Sequence, residues 1–126
     1  MAETILIDTN VFVDYLRNHP PSISFIESLQ GKSILFSAIT ETELLAGSDN
    51  NVPEVRSKLL QMLFTLAKVD VSNPAALLAG DLCRKYHMSI PDAIIAATCI
   101  QVGATLITKN KKDFESIREL SLKVPY

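Results

Sequence analysis

Apolar residues along this chain fall into two patterns that alternate. Short runs rich in β-branched and aliphatic residues read as strands. They are Thr4-Ile5-Leu6-Ile7, Ile34-Leu35-Phe36, Lys68 to Val71 and Thr105-Leu106-Ile107-Thr108, with Leu122-Lys123-Val124 as an edge strand. The stretches between them carry apolar residues three and four apart, which predicts helices. A first helix spans Asn10 to Arg17, and His19-Pro20-Pro21 should stop it. Ser22 can cap a second, with Ile23, Phe25, Ile26 and Leu29 turned to the core. A third runs from Thr40 to Ala46 and closes at Gly47. Pro53 opens a fourth, bearing Val55, Leu59, Met62, Leu63 and Leu66. Pro74 opens a fifth, with Leu78, Leu82, Cys83 and Tyr86 on one face and Gly80 inside it, implying close approach of a neighbour. Asp92 to Val102 is apolar nearly all round and should be the central buried helix. Strands alternating with helices predict an α/β fold, a parallel sheet covered on both faces. Such sheets bind ligands beyond the carboxyl ends of their strands.

Acids recur at those ends. Asp8 follows the first strand, Glu43 lies shortly after the second, Asp92 opens the central helix, and Asp113 follows the last long strand across Lys109-Asn110-Lys111-Lys112. Each has a plain structural reading. Asp8 can cap a helix or form an Asx-turn. Thr40-x-x-Glu43 and Ser89-x-x-Asp92 match capping boxes, and Asp113 can be solvated among lysines. Glu43 also shares a stripe with Ile39 and Ala46, which tilts it toward the interior. If the strand ends gather these acids, several ionised carboxylates repel one another unless a divalent cation sits between them. Oxygen ligands without His or Cys suit Mg²⁺ or Mn²⁺. Such an ion activates water and neutralises phosphate oxygens.

Length and composition fit one domain across residues 1–126, with 48% hydrophobic and 21% charged residues. No apolar stretch approaches the roughly 20 residues of a membrane span. Met1-Ala2-Glu3-Thr4 lacks a signal-peptide start. Cys83 and Cys99 show no metal-binding spacing and read as free, buried thiols. The expectation is a soluble, cytoplasmic protein with no membrane contact.

Four segments, in order, resemble the motifs of PIN-domain ribonucleases. They are Ile7-Asp8-Thr9-Asn10-Val11, Ser37-Ala38-Ile39-Thr40-Glu41-Thr42-Glu43-Leu44, Pro91-Asp92-Ala93-Ile94-Ile95-Ala96-Ala97-Thr98, and Thr105 to Asn110 continuing through Asp113-Phe114. Size and motif order are similar to VapC-type toxins of toxin–antitoxin pairs. The resemblance implies a three-layer α/β/α fold with a small parallel sheet. It also implies Mg²⁺-dependent cleavage of RNA, with Mn²⁺ as a substitute ion, and the chain's weak basic character suggests a structured target, of the tRNA or rRNA class. Asp8, Glu43 and Asp92 fall on the acidic, metal-holding positions, and Asn10 and Thr108 on polar positions that support them. At the fourth motif, either Asn110 or Asp113 completes the site. A homodimer and a cognate antitoxin are implied as well. The stripe Ile23, Ile26 and Leu29 and the helix from Glu54 to Ala67 are candidates for the antitoxin groove.

The net charge is −2. Setting the four acids aside in a metal pocket leaves a mildly basic remainder. Lys109, Lys111 and Lys112 border the pocket as candidates for the RNA backbone, or form a solvated basic turn. His19 and His87 each follow a helix and need no catalytic role. A phosphate-signalling receiver would want paired acids after the first strand, but Ile7 precedes Asp8. A haloacid-type phosphatase would want an acid where Asn10 stands. A catalytically silent binding module on the same fold is the remaining alternative.

Overall fold

The computed structural model describes residues 3–126; Met1 and Ala2, part of the N-terminal reading above, lie outside the described residues. The chain runs β1 (Thr4–Ile7), α1 (Thr9–Leu16), α2 (Pro20–Glu27), β2 (Ser33–Ser37), α3 (Ala38–Leu45), a 3-10 turn (Ser48–Asn51) and α4 (Pro53–Phe64). It continues through β3 (Ala67–Val69), α5 (Asn73–Tyr86), α6 (Ile90–Val102), β4 (Thr105–Ile107), α7 (Lys111–Phe114) and β5 (Ser121–Lys123). The sheet is parallel, in the order β3-β2-β1-β4-β5.

Strand residues alternate between two cores, as a period of two demands. Leu6 and Leu106 face one core, with Ala79 and Leu82 of α5, Ile95, Ala96 and Cys99 of α6, and Phe114 of α7. Ile5, Ile7, Phe36 and Ile107 face the other, with Val11 and Phe12 of α1 and Leu59 and Leu63 of α4. The result is the expected three-layer α/β/α arrangement. From β1 the chain builds outward through β2 and β3, then returns to the other side of β1 for β4 and β5. The order in which strands are added therefore reverses between β1 and β4, and a crevice opens beyond their carboxyl ends.

Several local expectations change. Pro20 and Pro21 do not merely stop α1; they occupy the first turn of α2, with His19 as its N-cap. Ser22 is buried inside that helix and donates to the His19 carbonyl, so it is not the cap. Helix α3 is capped by Ser37, whose hydroxyl accepts from the Ile39 N–H, so Thr40 is not a capping residue. Gly80 is exposed, and a Cβ built there meets open space, so no element approaches it closely. Helix α4 ends at Phe64, and Ala67 already belongs to β3. Cys99 is buried and Cys83 only half-buried; both are free. Among the described residues no helix is long and apolar enough to cross a membrane.

Candidate active site

Strand β1 delivers Asp8 directly to the crevice. Its backbone N–H continues the sheet by donating to the Ile107 carbonyl at 2.9 Å. Its side chain caps α1, with Oδ1 accepting from the Thr9 N–H at 2.8 Å. The other oxygen, Oδ2, accepts from the Thr108 hydroxyl at 2.6 Å, and Thr108 stands immediately after β4. Asp8 is thus the cap foreseen in the plain reading and also the centre of a cross-sheet contact. It is 4% exposed. Burial pushes its carboxyl up to about 6, against the lowering effect of the Thr108 and Thr9 hydrogen bonds, and the charges of Asp92 and Glu43 add to the rise.

Asp92 sits in the first turn of α6, where Ser89 is the N-cap and its hydroxyl accepts from the Asp92 N–H at 3.3 Å. Here the capping expectation holds. Asp92 is half-buried, and its carboxyl is raised first by that burial and then by the charges of Asp113 and Glu43, with the Ser89 hydroxyl opposing. The charges of Asp92 and Glu43 thus bear on Asp8, and those of Asp113 and Glu43 on Asp92.

Glu43 is exposed rather than turned inward, because Thr40 and Leu44 take the buried face of α3. It is still held at the crevice. The Thr9 hydroxyl donates to Glu43 Oε1 at 2.7 Å and lies 3.0 Å from the hydroxyl of buried Thr40. Thr9 and Thr40 position this acid, whereas the sequence suggests Thr40 only as a cap and Thr9 only as part of a motif. The available signal was spacing: Thr40 precedes Glu43 by three on the same helix, and Thr9 adjoins Asp8.

At the fourth motif Asp113 carries the charge that reaches Asp92. Asn110 is exposed, and its N–H donates to the Thr108 hydroxyl oxygen at 3.0 Å. Asn10 Oδ1 is buried with no hydrogen-bond donor among the described residues. Lys111 and Lys112 are exposed and make no ion pair among the described residues. Lys109 is different: its ammonium pairs with Asp14 at 2.6 Å, so it is not a free cation at the cleft.

The acids do not form a closed cage. Among the described residues no three His, Cys, Asp or Glu side chains are grouped tightly enough to hold a metal ion as they stand. The chemistry of the donors nevertheless fits a hard divalent cation. The donors are all oxygen, the raised carboxyls would regain their ordinary acidity beside positive charge, and the orphaned Asn10 Oδ1 lacks a partner that a cation or its hydration shell would supply.

Next to Glu43 lies a groove of about 330 Å³ between α1, α3 and α4. Val13, Leu16, Leu44, Val55 and Leu59 line it, and the charges of Arg17 and Lys58 are balanced by Glu43 and Asp49. The apolar stripe of α2 does not contribute. Ile26 and Leu29 pack into the core instead, where Ile26 borders a small cavity of about 80 Å³ with Met62.

Residues 5–120 match the PIN domain family. The chain belongs to that family. It is 33% identical over 123 residues to the ribonuclease VapC19 of Mycobacterium tuberculosis, covering 91% of this chain and 95% of that one. It is 34% identical over 124 residues to the ribonuclease VapC1 of Methanocaldococcus jannaschii, covering 95% and 85%. A toxin–antitoxin complex from Klebsiella pneumoniae contains a chain with the same fold, at a TM-score of 0.84 and 28% identity, covering 97% of this chain and 98% of that one.

Proposed function

We propose that this PIN-domain protein is the ribonuclease toxin of a toxin–antitoxin pair, and that it hydrolyses phosphodiester bonds in structured RNA of the tRNA or rRNA class with Mg²⁺ or Mn²⁺ bound at the crevice. One observation carries the reading: Asp8, a carboxylate with almost no solvent exposure, feels the charges of Asp92 and Glu43, which come from elements far away in sequence. A fold does not bring like charges to bear on a buried carboxylate for stability. The names of the similar proteins supply the reaction class and the partner class.

In this reading Asp8 and Asp92 hold the ion, with Glu43 as the third carboxylate. When bound, the ion supplies positive charge that acidifies water and offsets the phosphate oxygens. Thr108 fixes one oxygen of Asp8, and the Thr9 N–H fixes the other. Thr9 holds Glu43 on the rim, where its free oxygen can orient and deprotonate the attacking water. Asp113 adds negative charge near Asp92, and Asn10 offers an unused carbonyl oxygen. Lys111 and Lys112 bind the RNA backbone beside the cleft.

The groove beside Glu43 is the antitoxin's seat, and its apolar lining fits the face of an amphipathic segment. Exposed Phe64, Leu77 and Ile90 suit burial between copies in a homodimer. A cytoplasmic setting agrees with two unpaired thiols.

The test is cleavage of structured RNA by the purified chain with Mn²⁺ or Mg²⁺, then with excess chelator. Cleavage that disappears on chelation and in Asp8→Asn and Asp92→Asn supports the reading. RNA binding without cleavage under every metal condition points to the silent binding module instead.

A further inference from the structure

The cleft has a second layer built around Asp14, on α1 six residues beyond Asp8. One oxygen, Asp14 Oδ2, accepts from two donors: Lys109 Nζ at 2.6 Å and the Tyr126 hydroxyl at 2.6 Å. These bonds hold its carboxyl below the usual range, the Lys109 bond most and the Tyr126 bond next. They close loops of 95 and 112 residues. The Lys109 ammonium also lies 5.7 Å from the centre of the Tyr126 ring. The other neighbours of that ring are His19 at 5.5 Å and Phe25 at 6.3 Å.

Lys109 is covalently next to Thr108, the residue whose hydroxyl grips Asp8. On the other side, the Thr108 N–H donates to the Lys123 carbonyl at 3.1 Å, just before the segment that carries Tyr126. Helix α1, the turn after β4 and the segment after β5 therefore meet at one carboxylate. Asp14 and Asp8 project from the same short helix, so fixing the turn at Lys109 also fixes the Thr108 hydroxyl relative to the Asp8 carboxylate. A lone exposed ion pair would have little hold. Two short bonds to one oxygen, one from an ammonium and one from a phenol packed among other rings, form a pre-organised network.

We propose that Asp14, Lys109 and Tyr126 form a clasp that fixes Thr108 against Asp8, which makes Asp14 a positioning residue for the acidic cleft and takes Lys109 off the RNA path. The consequence for metal affinity rests on the nuclease reading above; the clasp itself does not.

Asp14→Asn separates the clasp from its rival. If Lys109 serves RNA, Asp14→Asn frees its ammonium and strengthens RNA binding. If Lys109 serves the clasp, Asp14→Asn and Lys109→Met damage the same thing. The experiment compares wild type, Asp14→Asn, Lys109→Met, their double variant and Tyr126→Phe, which keeps the ring. Amide hydrogen exchange at Thr108 and Asn110 is read in metal-free protein, Mn²⁺ affinity by calorimetry, and binding of a structured RNA in chelator across a salt series.

The clasp predicts faster exchange at both amides in each single variant, with no further gain in the double. It predicts about a tenfold loss of Mn²⁺ affinity in each, again not additive, with Lys109→Arg restoring most of it. RNA binding by Asp14→Asn should be no tighter than wild type. Unchanged exchange in Asp14→Asn and Lys109→Met overturns the clasp, as does tighter RNA binding with a steeper salt slope in Asp14→Asn. Wild type that binds no Mn²⁺ overturns the nuclease reading instead, and the exchange data still judge the clasp.

Discussion

Replacing Asp8 with Asn should make the metal-free protein more stable at neutral pH while removing its activity. The carboxyl is raised from 3.8 to about 6, chiefly by burial. A raised acid weakens folding wherever it must ionise in the folded state. Its contribution is fully favourable below about pH 4, where the carboxyl is neutral in both folded and unfolded chains, and is lost as pH rises through about 6. A shift of this size corresponds to about 3 kcal/mol above pH 6, with no discount for solvent because the side chain is 4% exposed. Asn keeps an oxygen for the Thr9 N–H, but its amide forces the Thr108 hydroxyl to reverse its hydrogen bond, at a cost of about 1 kcal/mol. The net gain is about 2 kcal/mol, or roughly 5–10 °C in Tm for a chain of this size.

The assay is thermal unfolding of wild type and Asp8→Asn in chelator from pH 4 to 8, then with Mg²⁺ at pH 7.5. The variant should be slightly less stable than wild type at pH 4, where the hydrogen-bond cost outweighs the small ionisation penalty, and reach its full advantage above pH 6. Mg²⁺ at a hundred times its Kd should stabilise wild type by about 2.7 kcal/mol, raising its Tm, and leave the variant unmoved. An Asp8→Asn protein that melts several degrees below wild type in chelator at pH 7.5 would refute the reasoning, because it would make Asp8 a helix cap and little else.

Asp92→Asn should likewise lose cleavage, with a smaller gain in metal-free Tm than Asp8→Asn because Asp92 is only half-buried; paired melting and cleavage assays check this. Lys111→Ala with Lys112→Ala should weaken RNA binding and lower the slope of log affinity against log salt by about 1.4, if both contact phosphates. Gly80→Ala should stabilise the chain by about 0.5–1 kcal/mol, since it adds a better helix former where nothing stands in its way; urea unfolding measures it. Ser37→Ala should cost about 1 kcal/mol by removing the cap of α3, read in the same unfolding experiment.

The strands and the central helix were legible in the sequence because burial on both faces leaves continuous apolar runs. β1 at Thr4–Ile7 and α6 at Ile90–Val102 match their expected positions closely. The place of Asp8 was legible for a related reason. Parallel topology sends every strand's carboxyl end to one edge, where Asp8 follows β1; Asp92 follows α5 rather than a strand, so this rule does not reach it.

What the pattern hid were choices between equivalent local signals. His19-Pro20-Pro21 stops one helix and starts the next, because proline suits a first turn as well as it breaks an interior. Ser37 and Thr40 are both plausible caps, and only the actual end of β2 decides for Ser37. Gly80 resembles a packing contact, yet it lies on an exposed face. Lys109 has the same composition signal as Lys111 and Lys112, and its partner Asp14 stands 95 residues away, beyond the reach of local patterning.

If Asp8 and Asp92 share a divalent cation, crystals grown with Mn²⁺ show it directly by anomalous scattering. One strong anomalous peak should lie at about 2 Å from a carboxylate oxygen of each of these two residues. A map with no peak in the crevice, from protein that takes up Mn²⁺ elsewhere, would contradict it.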